Sequence, residues 1–196
     1  MKVLVLGATG RIGSKLVKNL NELNDVQIKV YVRTPEKITE KMDIEVIKGD
    51  ILDSNHLREA MQDINMVIAA VDGNLLEMSK SIVSAAENTS VSRIVWVTGM
   101  GIHHEVPGLT GKMLDMLVKA QPEYVEAADL IMNSGLNYTL VRAAHLTDGN
   151  NEKYHLQNEG EKLHSNSVDR CAVARFIADM VLNEELGKNE SLGITN

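Results

Sequence analysis

Gly7-Ala8-Thr9-Gly10-Arg11-Ile12-Gly13 follows the apolar run Val3-Leu4-Val5-Leu6 and opens a segment whose apolar residues are Ile12, Leu16, Val17, Leu20 and Leu23. The order is buried strand, glycine turn, amphipathic helix. Each glycine has its own task. Gly7 permits a tight turn, Gly10 leaves no Cβ between the backbone and a pyrophosphate, and Gly13 lets the helix pack close to the strand. Free N–H groups and the positive dipole end of the helix then face the phosphates. Glycine triplets also mark plain turns. The strand before this one and the helix after it favour a dinucleotide site, with Thr9, Arg11 and Ile12 in the same loop.

The 196 residues suffice for one domain with a sizeable core. A net charge of -7 argues against a nucleic-acid surface, where phosphates require clustered Lys and Arg. The single cysteine excludes an internal disulfide and fits a reducing compartment. Met1 runs directly into the first strand, with no room for a signal peptide, and no apolar run approaches the ~20 residues that cross a bilayer. These features predict a cytoplasmic protein with no membrane contact.

Further strands are expected at Val26–Val32, Ile44–Ile47, Met66–Val71 and Arg93–Thr98, with helices over 55–62, capped by Ser54, and over 75–88. Pro35 suits the start of a short helix. The alternation predicts an α/β chain with a doubly wound parallel sheet and right-handed crossovers. Beyond residue 98 comes a loop from Gly99 to Gly111, a helical stretch broken at Pro122, and a sixth strand, Asn137–Val141. Residues 143–165 are polar, with at most a short strand pair, and 152–161 read as a solvated acidic loop. Ser167 is placed as the cap of a last helix carrying Val173, Phe176, Ile177, Met180 and Val181. No linker or repeat appears, so residues 1–196 read as a single dinucleotide-binding domain with a small C-terminal substrate-side elaboration.

Three stretches carry a family resemblance: Gly7 to Gly13, Ser134-Gly135-Leu136-Asn137-Tyr138-Thr139-Leu140-Val141-Arg142, and Ser167-Val168-Asp169-Arg170-Cys171-Ala172-Val173-Ala174. Together they resemble the atypical short-chain dehydrogenases, and within these the NAD(P)-binding group of NmrA-like and flavin/biliverdin reductase-type proteins. The resemblance implies a Rossmann fold that binds NADP(H), with substrate over the carboxyl ends of the strands. It leaves the chemistry open, because one fold hosts many functions.

An NAD enzyme places an acidic residue after the second strand. Here Arg33 holds that place, and its guanidinium suits the 2′-phosphate of NADP, with Arg11 as a second positive charge. The alternative makes both arginines solvated surface residues. In the family, the position of Asp50 reaches the adenine amino group and Ile51 packs beside the ring; the alternative is that Asp50 turns the chain. Ala69, Ala70 and Val71 end the fourth strand beside the ribose, where small residues leave room.

Active members of the wider family use a Ser and a Tyr-x-x-x-Lys pair. Counted from Ser134-Gly135-Leu136, the Tyr position falls on Ala120, the Lys position on Tyr124, and the Ser position near Thr98, Gly99 or Met100. Tyr124 is thus out of register, and the standard carbonyl-reductase mechanism is not expected. His145 lies in a stretch, Val141 to Asp148, that resembles the histidine-bearing loop of the reductase type. It is the candidate general acid or carboxylate ligand, against a plain loop histidine. Thr98 is the candidate to orient the nicotinamide amide. His103-His104-Glu105 lacks metal-site spacing and reads as part of a lid loop. Met100, Met113 and Met116 line an adaptable pocket or belong to the core, and Cys171 is a packing residue.

The leading functional reading is an NADPH-dependent oxidoreductase that passes hydride to a small acceptor, such as a flavin or quinone. The second is a catalytically inactive NADP(H) sensor acting through a protein partner. A sugar-nucleotide epimerase comes third. A homo-oligomer is open under either of the first two.

Overall fold

The computed structural model describes residues 1–196. The strand β1 (Lys2–Leu6) is apolar from Val3 onward because helices cover both of its faces. Val3 and Val5 enter one core layer, Leu4 and Leu6 the other, and all four are fully buried. The chain continues as α1 (Gly13–Asn21), β2 (Gln27–Val32), a single 3-10 turn (Pro35–Lys37), β3 (Glu45–Lys48), α2 (Ser54–Ala60), β4 (Met66–Ala69), α3 (Leu75–Ala86) and β5 (Arg93–Gly99). There follow α4 (Gly108–Ala120), α5 (Glu123–Met132), β6 (Asn137–Ala143), β7 (His145–Thr147), β8 (His155–Gln157), β9 (Ser167–Asp169), α6 (Arg170–Leu182) and β10 (Glu190–Thr195).

The main sheet has the order β3-β2-β1-β4-β5-β6-β10-β8, parallel throughout except where β8 joins β10. The chain leaves β1 toward β2 on one side and later sets β4 on the other. That reversal opens a crevice at the carboxyl ends of the strands, where open α/β sheets bind ligands. One face of the sheet carries α1 and α6, with Leu16, Val17, Leu20, Phe176 and Ile177 in its core. The other carries α2, α3 and α5, with Leu57, Ile82 and Ile131. The doubly wound parallel architecture is therefore as the sequence implied.

Several local expectations are corrected. The cap of α2 is Asp53, whose carboxylate accepts from His56 N at 3.1 Å, and Ser54 is already helical. Ser167 lies in β9, and Asp169 is the residue that precedes α6. Residues 143–165 do not pair internally: β7 pairs with β9, and β8, inside the acidic stretch, forms a sheet edge on β10. β10 itself was not foreseen. Its Glu190, Ser191 and Gly193 interrupt the apolar pattern, and a Cβ at Gly193 would come 2.9 Å from Met100 Cε. Met100 is core, whereas Met113 and Met116 stand exposed on α4 beside Leu109 and Leu117. No helix is long and apolar enough to cross a membrane.

Candidate functional site

The turn from β1 into α1 is built by close backbone contact. Gly7 has φ of 81°, and a Cβ on it would lie 2.2 Å from the Ala70 carbonyl oxygen. A Cβ on Gly13 would lie 2.1 Å from the Gly7 carbonyl oxygen. Gly10 differs: a Cβ there would meet only Gly7 O at 3.1 Å and Ala70 O at 3.9 Å. Packing of the protein therefore requires the first and third glycines far more than the second. The N–H groups of Arg11, Ile12 and Gly13 find no acceptor in the protein, and no side chain caps α1. These orphan donors at a helix start form a cradle suited to a phosphate.

A cleft extends to both sides of this turn. One half, about 220 Å³, is lined by Gly7, Thr9, Gly10, Arg33, Asp50 and Ile51 among others. The other, about 580 Å³, is lined by Gly10, Arg11 and Ile12 from the turn, Leu75 from α3, Val97 and Thr98 from β5, Tyr124 from α5, Leu146 from β7 and Arg170 from α6. Ala70, Val71 and Asp72, after β4, line both. The first half is a slot of mixed polar and apolar lining, and the second a largely apolar chamber. Thr98 is a 7% exposed residue of the chamber wall whose hydroxyl is buried behind the wall surface with no protein partner.

The predicted residues divide clearly. Gly7, Thr9, Gly10, Arg33, Asp50, Ile51, Ala70 and Val71 come together in the slot. Arg33 is exposed there, with no carboxylate within ion-pair distance. Asp50 does both things considered for it: its Oδ1 accepts from Leu52 N at 3.0 Å, turning the chain, while the residue lines the slot. Arg11 does not join Arg33. It lines the chamber and pairs with Asp148 at 3.6 Å. Gly13 packs beneath the turn and offers the cradle only its backbone N–H, and Ala69 lies in the core with no exposed surface, so neither is among the lining residues.

His145 is also displaced from its expected role. Ala144 and Leu146 line the chamber, whereas His145 between them is exposed and outside the lining. Alternate residues of a strand face opposite sides, and β7 turns this imidazole away. Tyr124, set aside on register, is in the wall. Burial first, then the carboxylates of Asp72 and Glu123, raise its pKa, so the phenol keeps its proton at neutral pH. The sequence signal for Tyr124 was a tyrosine on the expected helix. Leu146 and Arg170 lay in stretches that carry the family resemblance but had no assigned role, and Asp72 and Leu75 carried no comparable signal.

The loop after β5 is anchored from behind. The Glu105 carboxylate accepts from Gly101 N at 2.8 Å and His103 N at 3.1 Å, and pairs with Arg142 on β6, with both side chains almost fully buried. Burial alone would push the Glu105 pKa up. The Gly101 N–H and the Arg142 guanidinium outweigh it and hold the carboxyl below its usual range. His103 bonds Glu159 and Asp129, and His104 bonds Asp115, so the adjacent histidines diverge.

A family model described as NAD(P)H-binding matches residues 7–184. The chain belongs to this NAD(P)H-binding family. Among solved structures, it is similar to a Rossmann-fold NAD(P)-binding family protein from Shigella flexneri, with 30% identity and a TM-score of 0.85, covering 100% of this chain and 93% of that one. A short-chain dehydrogenase/reductase from Veillonella parvula in complex with NADP gives 26% identity and a TM-score of 0.85, covering 100% and 94%. The resemblance to short-chain dehydrogenases therefore stands. The chloroplast protein TIC 62 of Arabidopsis thaliana is 23% identical over 220 residues, covering 94% of this chain and 34% of the relative. An NAD(P)H azoreductase of Xenophilus azovorans is 26% identical over 144 residues, covering 71% and 46%. The NAD(P)H-binding chain thus spans less than half the length of these curated relatives.

Proposed function

We propose that this NAD(P)H-binding protein is an NADPH-dependent reductase that passes hydride to a small, planar, electron-poor acceptor such as a flavin or quinone. The observation that carries the proposal is the chamber beside the turn, apolar on most of its wall and continuous with the free N–H groups at the start of α1. In the slot, Arg33 in place of an acidic residue supports NADPH over NADH. The azoreductase relative, whose name implies a reducible acceptor, supports the same direction. A reducing compartment such as the cytoplasm suits it.

The free N–H groups at the start of α1 would hold the pyrophosphate, and Arg33 the 2′-phosphate. When bound, reduced nicotinamide supplies a hydride; the acceptor takes it with one proton, and oxidised cofactor remains. Thr98, in the chamber wall, would orient the carboxamide of the ring. The chamber walls exclude water and hold the acceptor flat. The protonated Tyr124 phenol is the proton donor within the wall, in place of the Tyr-Lys pair that the sequence lacks.

The test is oxidation of NADPH at saturating cofactor with FMN or a soluble quinone. A rate well above the protein-free background supports the reductase. No rate despite tight NADPH binding moves the reading to an NADP(H) sensor. The observation favouring that second reading is the exposed apolar face of α4, formed by Leu109, Met113, Met116 and Leu117 and suited to a protein partner.

A further inference from the structure

Two guanidinium groups reach the chamber from the α1–α6 side of the sheet: Arg11 at the turn and Arg170 at the start of α6. They differ in setting. The Arg11 side chain is 72% exposed, whereas that of Arg170 is 7% exposed. Both meet one carboxylate. Asp148 Oδ1 accepts from Arg170 Nη1 at 2.8 Å, and its Oδ2 lies 3.6 Å from Arg11 Nη1. One carboxylate between two cations leaves positive charge in excess on this wall. Asp148 itself lies outside the chamber lining, and the acidic residue that does line it, Asp72, belongs to the opposite side of the sheet, with Tyr124.

Arg170 donates one hydrogen bond to the protein, the bond to Asp148. Its Nε and Nη2 have no protein acceptor and are not sealed from solvent, although the residue as a whole is buried. A guanidinium held this way, with donors unspent on a cleft wall, matches a planar two-oxygen anion. Asp148 already presents such an anion to it. Its side chain is 62% exposed and free to turn to water, but its backbone is tied down. The Asp169 carboxylate accepts from Gly149 N at 3.2 Å and Asn151 N at 2.9 Å, and Cys171 Sγ donates to the Gly149 and Asn151 carbonyls. A rotation of one side chain thus clears the place, with no movement of the loop.

We propose that the chamber selects acceptors bearing a carboxylate, phosphate or sulfonate, which Arg170 binds, and that Asp148, from outside the lining, competes with that anion for the guanidinium. Arg11 adds attraction at the mouth. The proposal deepens the reductase reading and rests on it for the word acceptor; the anion site itself is tested by binding alone. Arg170 is a specificity residue here. Apolar walls cannot distinguish neutral from anionic planar molecules in favour of the anion, so the preference needs a cation.

The test is fluorescence or calorimetric titration of the full chain saturated with NADP+, using two matched pairs: FMN against riboflavin, and naphthoquinone sulfonate against naphthoquinone. The anionic member of each pair is expected to bind about tenfold tighter, the size of one charge-assisted contact. Arg170→Gln narrows the ratio to within about threefold. Asp148→Asn, at an exposed position that leaves the fold intact, widens it by removing the competing carboxylate. Thermal melting checks the fold of each variant, and NADP+ affinity is measured in parallel. Equal affinities within both pairs, or no binding of any of the four, overturn the proposal. So does an Arg170→Gln variant that weakens NADP+ and leaves the ratios unchanged, because Arg170 then serves the cofactor phosphates. A preserved ratio without NADPH oxidation would sink the reductase reading and leave the anion site standing.

Discussion

Gly10→Ala is the sharpest test of the cradle, because the structure separates its effect on folding from its effect on binding. The new methyl would meet only Gly7 O at 3.1 Å, a contact that a shift of a few tenths of an ångström relieves. The fold should survive, with melting within a few degrees of wild type. Gly10 lines both halves of the cleft, so the same methyl would take space from a ligand at the turn whose Arg11, Ile12 and Gly13 N–H groups have no acceptor in the protein. Pushing a pyrophosphate off two charge-assisted bonds, each of about 1.5–3 kcal/mol, costs roughly 3–4 kcal/mol once water recovers part of the loss. That corresponds to two to three decades in Kd, at about 1.4 kcal/mol per decade. Gly13→Ala is the contrast. Its methyl would sit 2.1 Å from a backbone carbonyl oxygen, so α1 must move and stability must fall with affinity. Calorimetric titration of NADPH and a thermal melt on each variant read both quantities. A Gly10→Ala protein that folds and binds NADPH within threefold of wild type would refute the cradle.

The other predictions follow from single contacts. Arg33→Asp should lower the ratio of NADPH to NADH affinity by about tenfold or more, the worth of one charge-assisted phosphate contact; an unchanged ratio in titration removes Arg33 from cofactor selection. Tyr124→Phe should reduce turnover by at least about tenfold with NADPH affinity held, whereas His145→Ala should leave turnover unchanged. Steady-state rates on the two variants decide between them, and the reverse pattern would return the histidine to the mechanism. Glu105→Ala leaves Arg142 buried without its partner and should cost about 3–5 kcal/mol, seen as a fall in Tm of roughly 10 °C. Because the folded pKa of Glu105 lies below its usual value of 4.5, its ionisation contributes stability above that pH and loses it as pH falls through the folded pKa. Glu105→Gln should accordingly show a shallower loss of stability in acid than wild type, in melts taken from neutral pH downward.

What was legible in the sequence was whatever neighbours along the chain decide. β1, the turn and α1 declare themselves because the apolar run, the three glycines and the helical spacing lie within a few residues of each other. β10 does not. Glu190, Ser191 and Gly193 give it no apolar run, and it forms because β6 and β8 supply its hydrogen bonds from either side. His145 shows the limit at the scale of one residue. The family loop was found, but which face of β7 the imidazole takes depends on pairing with Ser167 at the far end of a long segment, and a shift of one residue reverses it.

Arg11 and Arg33 show the same limit across the cleft. Both follow strand ends, and a sequence offers no reason to separate them; the fold sets one beside the slot and the other beside Asp148. Charge read by residue type alone therefore assigns both to the cofactor, although only Arg33 stands with no carboxylate near it. The distinction matters chemically. A cation already paired acts on a ligand through its remaining donors and in competition with its partner, so its net effect is a modest preference for anionic over neutral ligands. An unpaired cation contributes its attraction directly. On that ground Arg33 should govern how tightly a phosphorylated cofactor binds, and Arg170, held by Asp148, should govern which molecule is accepted beside it.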